Sequence, residues 1–204
     1  MMNSAEGDEF ELAILKAFGE MLDQGGADLG LPPNFLYSIA GEDDWGFFIK
    51  LHALVEAAVD EALVSRMGQD KPPFQTDREA LTKLIAKNNL DGRMGKIALL
   101  KVYGLCSEQT ERSLRLLAEV RNAYAHRVTN ISKRVEELEA GQKLIRSDPF
   151  NQIPSEIKAM PGAIKYFAAL HYSSLTIEML VTKKKSIGLL QHLLLHTKPA
   201  RREK

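Results

Sequence analysis

The segment SEQTERSLRLLAEVRNAYAHRV, residues 107–128, decides the fold class and frames the functional question. Ser107 offers the hydroxyl of a helix N-cap, and the residues after it suit one long helix. Setting successive residues about 100° apart puts Leu116, Leu117, Val120, Ala123, Tyr124 and Val128 in one arc. Arg115, Ala118, Glu119, Arg121, Asn122, Ala125 and His126 fall in the opposite arc. Such a helix needs a core to pack on and leaves a chemically equipped face over.

The same helical period runs outward through the chain, and no sustained apolar/polar alternation suggests a sheet. A first helix is expected over about 8–23, with Phe10, Ile14, Leu15, Phe18 and Leu22 at helical spacing, broken by GGADLGLPPN (25–34). A longer helix begins at Asp43 or Asp44, either of which can cap it, and reaches about residue 67. Its stripe is Phe47, Phe48, Leu51, Leu54, Val55, Ala58, Val59 and Ala62, and the loop GQDKPPF (68–74) ends it. Asp77 is placed to cap DREALTKLIAKNN (77–89), and GKIALLKVYGL (95–105) reads as a compact buried helix ending at Gly104. Residues 131–146 are charged and read as helical, followed by an irregular stretch around Asp148-Pro149-Phe150 and Ile153-Pro154. Pro161-Gly162 precedes a long helix carrying Ile164, Phe167, Leu170, Leu175, Met179 and Leu180, and SIGLLQHLLLH (186–196) makes a last one. The expectation is an all-α antiparallel helical bundle, a single domain over 1–204 with a flexible basic tail at about 198–204.

Composition narrows the class. Of 204 residues, 45% are apolar and 26% charged, enough to bury a core without disulfides or metals. The single cysteine, Cys106, cannot close an intramolecular bridge, which suits a reducing cytoplasm. No apolar run reaches the roughly 18 residues of a membrane span, and the acidic start MMNSAEGDEF lacks the order of a secretory signal, so a cytoplasmic protein with no membrane partner is expected. The overall charge of zero hides an asymmetry. Residues 1–100 carry 9 Lys/Arg against 17 Asp/Glu, and residues 101–204 carry 18 against 10. The basic half includes Lys183-Lys184-Lys185 and the tail KPARREK (198–204), clusters that can attract a polyanion or simply solubilise a helix end.

The six residues RNAYAH, Arg121 to His126, carry the most chemistry. Arg121 and His126 are about 140° apart around the axis, with Asn122 between them in projection. Arg offers a permanently charged fork for phosphate oxygens and developing negative charge. His can take a proton from a ribose 2′-hydroxyl or give one to the leaving 5′-oxygen, and Asn can hold the imidazole or bond a phosphate oxygen. No metal or other cofactor is required for that transesterification. One copy of the motif supplies one His, whereas two protomers meeting at this face would supply two Arg and two His. By residue type alone the bland alternative stands beside this one: Arg, Asn and His are common at an exposed helix C-terminus.

The helix LAEVRNAYAH, residues 117–126, resembles the signature helix of the HEPN superfamily, whose members are helical bundles with an Arg-x4-6-His motif. The preceding context, Lys96 to Leu105 leading through a short linker into Ser107 to His126, is similar to the mannitol operon repressor (MltR-like) branch. The resemblance is clearest over residues 43–130. It implies a homodimer through the motif helix and, in catalytic members, a metal-independent endoribonuclease serving as a toxin or defence component. It implies that Arg121 binds the phosphate, His126 is the acid or base and Asn122 supports them. Glu56, Arg115 and Tyr124 are further candidate supporting positions. For the MltR-like branch it implies a transcriptional regulator that keeps the motif without cleaving, with an antitoxin or regulatory protein as partner.

Other constellations rank lower. His52, Glu56 and Asp60 recur every four residues, a spacing that could ligate a divalent metal but reads better as a solvated polar stripe, with Glu56 a partner for Arg121 or His126 if the helices pack. His192 and His196 share a face without an acidic third ligand. Cys106 lacks a His or CxxC partner and reads as a buried apolar residue. Gly92, Gly95 and Gly104 form no phosphate loop, and no basic recognition helix argues for reading DNA. Three readings remain: a dimeric ribonuclease using Arg121, Asn122 and His126, a non-catalytic regulator whose same face binds protein or RNA, or a helical oligomerisation module in which RNAYAH is fortuitous.

Overall fold

The computed structural model describes residues 4–69 and 78–180 of the chain. Among these residues there is no strand, and nine α-helices pack on one another. They are α1 (Ser4–Asp28), α2 (Phe35–Ala40), α3 (Asp44–Gln69), α4 (Arg78–Ala86), α5 (Lys96–Val102), α6 (Glu108–Ala125), α7 (Glu139–Arg146), α8 (Ser155–Lys158) and α9 (Ala163–Leu180). The Asp77 cap, the final helix 186–196 with His192 and His196, and the basic clusters at 183–185 and 198–204 lie outside the described residues.

The Gly-rich stretch does not stop α1 where expected. The helix runs through Gly25 and Gly26 and closes one turn later, at Gly30. There φ is 69°, Leu31 N–H bonds Gly26 O at 2.9 Å and Gly30 N–H bonds Ala27 O at 3.0 Å. This is the reversed turn that a glycine past a helix end makes. Gly25 stays helical because it lets α9 come close: a Cβ there would lie 3.2 Å from Ser173 Oγ. Phe18 stacks on Tyr166 at 5.5 Å and meets Phe167 edge-on at 5.0 Å. From Phe18 against Tyr166 to Gly25 against Ser173 both helices advance seven residues, so α1 and α9 run parallel. The short helix α2 between them has no counterpart in the expected elements; Leu36, Ile39 and Ala40 are its buried side.

Both candidate caps of α3 are used, for different purposes. Asp43 accepts from Gly46 N–H at 2.6 Å, closing the helix start. Asp44 accepts from Val135 N–H at 2.7 Å and pairs with Lys165 at 3.4 Å, tying α3 to the segment after α6 and to α9. Phe48 stacks on Tyr124 at 6.1 Å, so the start of α3 meets the end of α6 and the two run antiparallel. At α9, His171 Nε2 lies 3.0 Å from Ser113 Oγ, and the Tyr172 hydroxyl donates to Ser113 O at 2.7 Å, anchoring the first half of α6. The core is one continuous set of buried side chains, from Ile14 and Phe18 through Phe47, Leu51, Leu117 and Val120 to Phe167 and Met179.

The expected helix over 131–146 is a correction. Only α7 forms; before it the chain makes two 3-10 turns, Val128–Asn130 and Val135–Glu137. The chain turns because α6 ends at Ala125, where Asn130 Nδ2 donates to Ala123 O at 2.8 Å and the Tyr124 hydroxyl to Lys133 O at 3.1 Å. Val128, assigned to the apolar arc of the motif helix, lies beyond that end and is 84% exposed.

Candidate functional site

Helix α6 carries the motif, and its local chemistry explains its limits. Ser107 Oγ accepts from Thr110 N–H at 3.1 Å, the expected cap. Leu114, Leu117, Val120 and Tyr124 form its buried side. Ala118, placed in the polar arc by the helical angle, is buried as well. Ala125 and His126 are exposed, and His126 is the C-cap, its backbone N–H bonding Asn122 O at 3.0 Å.

Of the three motif residues, two meet directly. Arg121 Nη1 donates to Asn122 Oδ1 at 3.0 Å on the surface. His126 and Asn122 line a groove of about 540 Å³ between the end of α6 and α7, together with Glu119, Arg127, Asn130, Lys133, Glu137 and Lys143. Arg121 does not line it. Its charge falls on the other side of Asn122, where it helps to depress the proton affinity of His52 on α3. Within one chain, then, Arg121 and His126 address different sides of Asn122, as their separation around the axis requires.

The groove wall is fixed by Gly141. A Cβ there would lie 1.8 Å from Val135 O, so only glycine lets α7 sit against the turn at Val135–Glu137. Lys143 pairs across the groove with Glu119 of α6 at 3.3 Å and along α7 with Glu139 at 3.5 Å. These exposed pairs hold side chains more than they stabilise the fold.

The three supporting positions separate. Tyr124 is buried in the core, with its hydroxyl spent on Lys133 O; burial raises its pKa. Arg115 is held by ion pairs to Glu111 (3.0 Å) and Asp91, so it ties α6 to the turn before α5. Glu56 faces neither Arg121 nor His126 with a hydrogen bond. One of its oxygens takes Lys96 Nζ at 2.8 Å and the other lies 3.8 Å from His52 Nδ1.

That arrangement corrects the solvated-stripe reading of His52, Glu56 and Asp60. His52 is 7% exposed, and Lys96, only 2% exposed, bridges Glu56 and Asp60 at 2.8 Å each. Two carboxylates at one ammonium more than offset the charge of a lysine that burial alone would disfavour. Burial lowers the pKa of His52; Glu56 opposes that, while Arg121 and Lys96 add to it. Lys96 was not singled out from the sequence as a site residue. Its signal was an acidic i,i+4 pair on one helix and a lone lysine flanked by apolar residues in Gly95-Lys96-Ile97 on another.

Cys106 is half-buried, and burial pushes its thiol pKa up, away from a reactive thiolate. Among the described residues no three His, Cys, Asp or Glu side chains are grouped to hold a metal ion, and no helix is long and apolar enough to cross a membrane. Comparison of the chain with family models, with curated proteins and with solved structures finds no match.

Proposed function

We propose that the chain is an HEPN-like, metal-independent endoribonuclease that works as a homodimer, in a toxin or defence role. One observation carries the reading: a half-buried Arg121 bonded to an exposed Asn122, and an exposed His126, stand at the end of a helix whose other side is locked in the core. The chemistry follows from these groups. A neutral imidazole at His126 removes the proton of a ribose 2′-hydroxyl, and the alkoxide attacks the adjacent phosphorus. Arg121 meets the charge that grows on the non-bridging oxygens. The P–O5′ bond breaks, a proton goes to the leaving 5′-oxygen, and the products are a 2′,3′-cyclic phosphate and a 5′-hydroxyl. Arg121 and His126 address different sides of Asn122 in one chain, so a second copy of α6 supplies the complementary acid and clamp.

That same separation favours a second reading, a non-catalytic MltR-like regulator whose α6–α7 groove holds a protein or RNA segment. The two are told apart by incubating single-stranded RNAs of mixed sequence with the protein in EDTA, beside Arg121→Ala/His126→Ala. Cutting by the wild type alone supports the nuclease. Intact RNA with both proteins rejects a general nuclease and leaves the regulator.

A further inference from the structure

The site reading supplies one imidazole per chain, yet a second one lies behind Arg121. Phe48 on α3 stacks on Tyr124 of α6, and one turn further along α3 the antiparallel packing brings His52 opposite Arg121. His52 is almost wholly buried, with Nδ1 3.8 Å from a Glu56 oxygen. Glu56 is in turn held by Lys96, which also holds Asp60. The charged groups facing His52 are therefore Glu56 from its own helix, Lys96 from α5 and Arg121 from α6. With His52 neutral, the two carboxylates and two cations of this cluster balance. An anion seated on Arg121 upsets that balance by one negative charge close to an imidazole that is able to take a proton.

We propose that His52 is a positioning residue of the site, which takes up a proton when a phosphodiester binds Arg121 and so couples substrate binding to pH. The inference rests on Arg121 as the phosphate-binding group, and it stands or falls separately from cleavage. Burial and the two neighbouring cations hold His52 neutral in the free protein. The incoming phosphate cancels the Arg121 contribution and adds attraction of its own. By reciprocity, the phosphodiester binds more tightly where His52 is charged. One unit charge added near an imidazole this buried is worth about a tenfold change in affinity.

The test uses the full chain and a short deoxythymidine oligonucleotide, which lacks the 2′-hydroxyl and cannot be cleaved. Calorimetry between pH 5.5 and 8 in two buffers of different ionisation enthalpy counts the protons taken up on binding. His126 is a second imidazole of the site, so the comparison is wild type against His52→Gln with His126 intact. The expected result is proton uptake and about tenfold tighter binding at the acid end, with the larger part lost in His52→Gln and all oligonucleotide binding weakened in Arg121→Ala. Should His52→Gln fail to fold, the ring signals of His52 are followed by NMR through a pH titration of wild type. A shift of its midpoint to higher pH on adding oligonucleotide supports the proposal. An unmoved midpoint, an unchanged pH dependence in His52→Gln, or no binding by wild type overturns it. RNA cleavage by wild type, measured separately, judges the nuclease reading.

Discussion

His171 offers a sharp test of how α9 holds the motif helix. Its ring is packed edge-on to Phe150 at 5.6 Å and its Nε2 meets Ser113 Oγ, with burial pushing its pKa down to about 4. In the unfolded chain the same imidazole titrates near 6.5. The folded value is the lower one, so the unfolded state binds the extra proton. This contribution is fully present above about pH 6.5, is lost as pH falls, and is exhausted below about 4. The full difference is about 3 kcal/mol, of which about 2 kcal/mol is already lost at pH 5. Urea denaturation followed by circular dichroism at pH 7.5, 6, 5 and 4.5 measures it, for wild type and for His171→Gln. The wild type is expected to lose stability more steeply, by up to about 1.4 kcal/mol per pH unit between 6 and 5. His52 shifts in the same direction but is common to both proteins, so it cancels. Parallel pH profiles for the two proteins would refute the claim that a neutral, buried His171 anchors α6.

Further outcomes follow from single contacts. Replacing Lys96 by Met leaves Glu56 and Asp60 facing each other without their ammonium. We expect a loss of about 3 kcal/mol in urea, with most of it recovered when Glu56→Gln and Asp60→Asn are added. Gly141→Ala drives a methyl into Val135 O, so α7 must move; thermal melting is expected to register a loss of at least about 2 kcal/mol. Ser107→Ala removes the acceptor for Thr110 N–H and is expected to cost about 1 kcal/mol, with the helix content otherwise kept.

The sequence was most legible where one helix face had to be buried. The centres of the α3, α6 and α9 stripes are buried as expected, because Phe47, Leu51, Leu117 and Phe167 have no other place to go, whereas Val128 and Leu180 at the stripe ends are exposed. It was least legible where a tertiary contact overrules local chemistry. Gly25 and Gly26 read as a break, yet the approach of Ser173 makes glycine useful inside the helix. Residues 131–138 read as helix from their charge, whereas the Tyr124 hydroxyl takes Lys133 O and Asp44 takes Val135 N–H into a turn. The motif residues themselves were visible as a chemical set on one face. Their division to the two sides of Asn122 followed from the helical angle, but the side that Arg121 shares with His52 did not. That neighbour comes from how α3 crosses α6, and Lys96 is buried where α5 packs on α3. A spacing of four along one helix says which residues align, not whether a lysine from another helix will cover them.

The most direct test of the functional account is the chemistry of the cut ends. Wild type is incubated in EDTA with an RNA oligonucleotide and with the same sequence carrying 2′-deoxyribose at every position, and the products are weighed by mass spectrometry. The account predicts fragments ending in 2′,3′-cyclic phosphate from the RNA alone, and none from either substrate with Arg121→Ala/His126→Ala. Cutting of the deoxy substrate, linear 5′-phosphate ends, or equal cutting by the double variant would contradict it.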